Sequence, residues 1–158
     1  MERLYFEDCR VGDRASAPAR TITEADIVQF AALTGDWHPL HTDAEYAKRT
    51  MFGERIAHGL LILAIGTGLL FRSSQNIALP KFSIAAAGLD KVRFVAPTKI
   101  GDTIALESEV TQIQAMTADR GLIIARHRMV NQRGEVVLTF TTKTLAQRRP
   151  RQEGPSDG

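Results

Sequence analysis

The sequence predicts an α+β domain in which an antiparallel sheet wraps around one central apolar helix. Three observations predict it. Leu60 to Phe71 is apolar on every face, so a helix there has no side to give to water. From Gly88 onward the chain runs in segments that alternate apolar and polar at a period of two, the mark of half-buried strands. Ahead of both lie only short segments with helix caps. One buried helix followed by a meander is best covered by a sheet that curls around it and keeps its other face toward solvent.

In chain order, Phe6 to Asp13 reads as an entry segment with a turn at Gly12-Asp13. Arg14 to Ile22 is extended, and Pro18 puts it at a sheet edge because proline lacks the ladder N–H. Thr23 is placed to cap a helix whose first turn carries Glu24 and Asp26. Ile27, Phe30, Ala31 and Thr34 follow at helical spacing, and Gly35 ends the run. Gly35 to His41 leads on as a stiff irregular loop between two short helices, and Asp43 caps the second, from Ala44 to Arg49.

The apolar run after His58-Gly59 is roughly fifteen residues, short of the about 20 a membrane span needs, so it is read as a core helix. Gly66 and Gly68 would serve close backbone packing against a sheet or a partner subunit. Ser73 to Phe82 is a connecting loop. Strands follow over Gly88 to Ala96, Thr103 to Ile113, Leu122 to Val130 and Val136 to Leu145, with a turn at Pro97 to Asp102 and a hairpin connection at Asn131 to Gly134. Residues 1–146 form the domain, and 147–158, polar and rich in Pro and Gly, form a disordered tail. The open sheet edges point to a homodimer or higher homo-oligomer.

Composition narrows the function. The 158 residues are 44% hydrophobic and 24% charged, and the net charge of +2 gives no footprint for nucleic acid. A single cysteine, Cys9, excludes an internal disulfide and fits a reducing compartment. The N-terminal residues are mixed in charge and lack a signal-peptide core, so a cytoplasmic location with no membrane partner is expected.

Chemistry concentrates between Gly35 and His41. Asp36 and His41 are the residue types suited to acid–base work near neutral pH, and Pro39 bends the chain between them. Gly59 stands at the expected start of the apolar helix, where free backbone N–H groups favour negative charge and the missing Cβ admits close approach. The His38-x-x-His41 spacing, with His58 further on, raises metal binding, but no HExxH pattern accompanies it and no metal is expected. No Gly-rich phosphate motif calls for an organic cofactor. His58 reads as a positioning residue before the helix, and His127, between Arg126 and Arg128, as a surface or half-buried structural residue.

Phe30, Leu33, Thr34, Gly35, Asp36, Pro39, Leu40, His41 and Ala47 together resemble the signature of the MaoC-like dehydratases, which include the (R)-specific enoyl-CoA hydratases. Ala57-His58-Gly59-Leu60-Leu61 looks like the start of that family's central helix, and Arg93 to Pro97 with Gly101-Asp102-Thr103 like its strand–turn–strand. The resemblance implies a single hot-dog domain and a hydro-lyase that adds or removes water on enoyl or 3-hydroxyacyl thioesters of CoA or acyl-carrier protein. It implies Asp36 and His41 as the catalytic dyad and the Gly59 N–H as oxyanion donor. His38, Trp37, His58, Thr67 and Arg93 are expected on the substrate side, and His38 stands where the family has Asn. Two alternatives stay open: a thioesterase on the same scaffold, and a non-catalytic acyl-thioester binder.

Overall fold

The computed structural model describes residues 2–73 and 75–151. Five strands form one antiparallel sheet: β1 (Arg14–Thr21), β2 (Ser83–Phe94), β3 (Thr103–Ala115), β4 (Arg120–Asn131) and β5 (Val136–Gln147), in the order β1-β3-β4-β5-β2. The helices are α1 (Glu24–Thr34), α2 (Pro39–Thr42), α3 (Ala44–Lys48) and α4 (Gly59–Leu70). The sheet's concave face packs on α4. Leu61, Ile62, Leu63, Leu69 and Leu70 share one buried cluster with Ile104, Leu106, Met129, Leu138 and Phe140.

β1 is an edge strand, and its register with β3 slips between Ala17 and Arg20, the stretch that holds Pro18. α1 starts on a capping box: Thr23 Oγ1 accepts from the Asp26 N–H, and Asp26 accepts from the Thr23 N–H at 2.8 Å. It ends at Gly35, whose φ of +80° is the left-handed cap that glycine adopts without strain.

Four expectations change. The Gly35-to-His41 segment is not wholly irregular, because α2 forms one turn within it. β2 begins at Ser83, ahead of the alternating stretch that the sequence marks; its first residues are mostly exposed alanines with no burial pattern to read. α4 is not buried all round: Leu60, Ala64, Gly68 and Phe71 make an exposed stripe, with Leu60 at 62% and Phe71 at 77% exposure. Gly66, in contrast, is pressed on the sheet, where a Cβ would stand 3.0 Å from Met129 Sδ.

The fourth change concerns the tail. β5 reaches Gln147, and Arg148 and Arg149 are held by Glu7 at 2.9 Å and Asp8 at 2.7 Å, with the Arg149 guanidinium over the Tyr5 ring. The rest of that segment, 152–158, lies outside the described residues.

The turn between β2 and β3 anchors the approach to α4. Asp102, nearly fully buried, accepts from the Lys99 N–H, from Gln132 and from Arg133. Its carboxyl is held below the usual carboxylate range: burial raises it, but those hydrogen bonds and the Arg133 charge outweigh burial. The turn so fixed pairs Lys99 with Ile56 and accepts the Ala57 N–H at the Thr98 carbonyl, 2.8 Å away. Thus a rigid hairpin sets the two residues that precede His58.

Candidate active site

The loop after α1, the α2 turn, the segment before α4, the start of α4, the end of β2 and the start of β5 meet at one cavity of about 530 Å³. Asp36, His41, His58 and Gly59 lie on its wall beside Phe52, Ile56, Phe94 and Leu138, among mostly apolar neighbours. A few converging polar groups in an apolar pocket are the general form of a small-molecule site.

Two imidazoles are pinned by backbone carbonyls. His41 Nδ1 lies 2.7 Å from the Ile56 carbonyl, so it carries the proton and donates, leaving Nε2 with the lone pair. His58 Nε2–H donates to the Asp36 carbonyl at 2.9 Å. The two rings stack with centroids 3.9 Å apart and planes 30° from parallel. His41 titrates below the ordinary imidazole value. Burial is the largest cause; the Ile56 carbonyl and the Asp36 charge pull it up, and His58 and His38 push it down.

One polar atom from each of Asp36, His41 and His58 lies within 4.8 Å of the others, the one such cluster among the described residues. His58 Nε2 is spent on the Asp36 carbonyl and His41 Nδ1 on the Ile56 carbonyl, so neither of these nitrogens is a free ligand.

The other expected residues sit elsewhere. His38 does not line the cavity; it caps α2, its Nδ1 accepting the Leu40 N–H at 3.1 Å. A family Asn would use its amide oxygen for that same bond, which explains how histidine fits there. Trp37 is outside the cavity and half exposed. Thr67 spends its hydroxyl on the Ala64 carbonyl at 2.7 Å and faces a second cavity, with Leu70, Ile84 and Leu89. Arg93 is exposed on β2 and also misses the first cavity; its neighbour Phe94 lines it.

Phe94 and the Ile56 carbonyl are the parts of the cavity that residue chemistry missed. An aromatic at a strand end beside Pro97 was the available sign for Phe94; a backbone carbonyl leaves none. His127 is fully buried, bridging Ser108 Oγ and Thr142 Oγ1 at 2.8 Å each, rather than lying at the surface.

A hot-dog sheet around one helix, with an acid–imidazole pair facing that helix's first residue, defines the class of protein. The family model described as "MaoC like domain" matches residues 9–130, and the chain belongs to that family. It is 39% identical over 102 residues to "Protein MaoC" of Klebsiella aerogenes, covering 65% of this chain and 29% of that one. It is 38% identical over 107 residues to the (R)-specific enoyl-CoA hydratase of Rhodospirillum rubrum, covering 68% and 69%. Among solved structures, the monoamine oxidase regulatory protein of Archaeoglobus fulgidus superposes with a TM-score of 0.87 at 40% identity, covering 95% of this chain and 98% of that one. The chain therefore spans under a third of the Klebsiella protein. No helix among the described residues is long and apolar enough to cross a membrane.

Proposed function

We propose that this protein is a hydro-lyase that adds water to, or removes it from, enoyl and 3-hydroxyacyl thioesters of CoA or acyl-carrier protein. The observation that carries this reading is the convergence of Asp36, His41 and the first residue of α4 on one apolar cavity. Hydratases and dehydratases among the relatives, such as the 3-hydroxybutyryl-CoA dehydratase of Methylorubrum extorquens at 36% identity, support it.

In the hydration direction, a water lies between the Asp36 carboxylate and the lone pair at His41 Nε2. His41 takes a proton as the water oxygen bonds to Cβ, and the Cα=Cβ electrons move toward the thioester oxygen. That oxygen gains enolate charge beside the Gly59 N–H, where the unpaired amides of the first turn of α4 stabilise it. His41 then returns the proton to Cα on the same face, while Asp36 orients the water and offsets the imidazolium charge. Nothing in these steps needs a metal or an organic cofactor.

Asp36→Asn and His41→Ala should each remove at least about 100-fold of enoyl-CoA turnover with the fold intact by circular dichroism. Unchanged loss of enoyl absorbance in either variant overturns the reading. Release of free thiol in its place would assign the site to thioester hydrolysis.

We further infer a homodimer. The exposed stripe of α4 and the exposed Ile84 and Leu89 of edge strand β2 offer apolar surface that a second copy would cover.

A further inference from the structure

We infer that His58 is a positioning residue for the Asp36/His41 pair, holding the Asp36 peptide through Nε2 while its ring face backs the His41 imidazole. The inference rests on the proposed dyad and adds to it the part that keeps its two members in place. The Gly35-to-His38 segment has mostly local bonds of its own: Asp36 N–H to Thr34 Oγ1 at 3.2 Å, Trp37 N–H to the Gly35 carbonyl at 3.1 Å, His38 N–H to Asp36 Oδ1 at 3.3 Å. The bond from His58 instead spans 22 positions and ties the Asp36 peptide to the residue that caps α4.

The ring that does this is itself fixed. His58 is 2% exposed and packed between Phe30, 4.9 Å away, and His41. Its Nδ1 is buried with no hydrogen-bond partner among the described residues, so the ring is retained there for what Nε2 and its faces do. Because His58 is followed directly by Gly59, one side chain sets Asp36, His41 and the start of α4 relative to one another.

Two variants separate the contacts. His58→Phe keeps an aromatic face against His41 and loses the donor; His58→Gln keeps an N–H for the Asp36 carbonyl and loses the ring. Expected is a fall in kcat on the order of 10–100-fold for the Phe variant with KM little changed, since misplacing a reacting group acts on the chemical step. The Gln variant retains most of kcat. The His41 titration, read by NMR with Asp36, His38 and His58 as its charged or titratable neighbours, rises in both variants because the lowering by His58 is lost, and it rises less in the Phe variant, which keeps the ring's cover. It rises further in the Gln variant, where the imidazole face also gains water.

Wild-type kcat in the Phe variant, or equal losses in both with His41 titrating identically, overturns the inference. Should the Phe variant not fold, the Gln variant decides: an unmoved His41 titration overturns it. A wild-type protein inactive on every thioester would sink the proposed activity alone. The titrations would still report whether His58 backs His41.

Discussion

The ring of Phe94 occupies the space that a side chain at Gly59 would need: a Cβ there stands 2.7 Å from Phe94 Cδ1 and Cε1. The end of β2 thus covers the first residue of α4, and any thioester oxygen approaching the Gly59 N–H enters beside that ring. Gly59→Ala must push Phe94 away, and a ring that is 56% exposed has somewhere to go. The backbone N–H survives, so the expected outcome is a folded variant whose kcat/KM falls by up to about 100-fold, the size of misplacing a reacting group by about 1 Å. Adding Phe94→Ala should restore part of it, a non-additivity that a double-mutant cycle measures.

His38 caps α2 and does not line the cavity. His38→Asn preserves an acceptor for the Leu40 N–H and should leave turnover and thermal stability close to the starting protein. His38→Ala removes the cap and should cost about 1 kcal/mol. A change of acyl-chain preference in the Asn variant, read on a panel of enoyl-CoA substrates, would contradict this.

The contrast between His38 and His41 marks how far the sequence could be read. The central helix and the strand meander were legible because burial imposes periods of 3.6 and 2 on the residues themselves. That Asp36, His41 and Gly59 line one cavity was expected because they stand at positions of the family pattern the chain resembles. What separates His38 from His41 is which backbone group each ring reaches, Leu40 N–H or Ile56 carbonyl, and no residue pattern records that. The exposed stripe on α4 was hidden for the opposite reason: Leu60, Ala64, Gly68 and Phe71 are as apolar as the buried residues beside them.

His127 makes the fold acid-sensitive. Burial pushes its imidazole down to about 4, from 6.5 in the open chain. The unfolded chain therefore takes up a proton below pH 6.5 that the folded protein refuses until about pH 4. Its contribution is fully present above 6.5 and is lost as pH falls through that window, up to about 3 kcal/mol. Denaturant melts at pH 7 and pH 4.5 should show the loss. In His127→Gln, which can still bridge Ser108 and Thr142, the His127 share of that slope should vanish.

With His41 as the proposed base, its lowered titration should set the acid limb of activity. A base must be unprotonated, so kcat/KM should fall only below pH 6.5, as His41 takes up its proton. With burial as the main cause, opening the cavity should move that limb upward: Phe52→Ala, at the cavity wall, is expected to raise it. A pH–rate profile of both proteins reads this directly, and an acid limb at or above pH 7 in the unaltered protein would contradict the role given to His41.

The apolar stripe of α4 sets the last test. Leu60 and Phe71 are too exposed for a helix whose every residue is apolar or small unless another surface covers them. A second copy is the covering that also protects edge strand β2, where Ile84 and Leu89 stand out in water. Light scattering after size exclusion should give twice the chain mass for the unaltered protein. Phe71→Glu places a charge on that surface and should shift the mass toward one chain, because an unpaired buried charge costs more than the contact returns. Leu33→Glu, at an exposed leucine of α1 that is not part of the stripe, should leave the mass unchanged. Equal masses for the two variants would assign the association, or its absence, to some other surface.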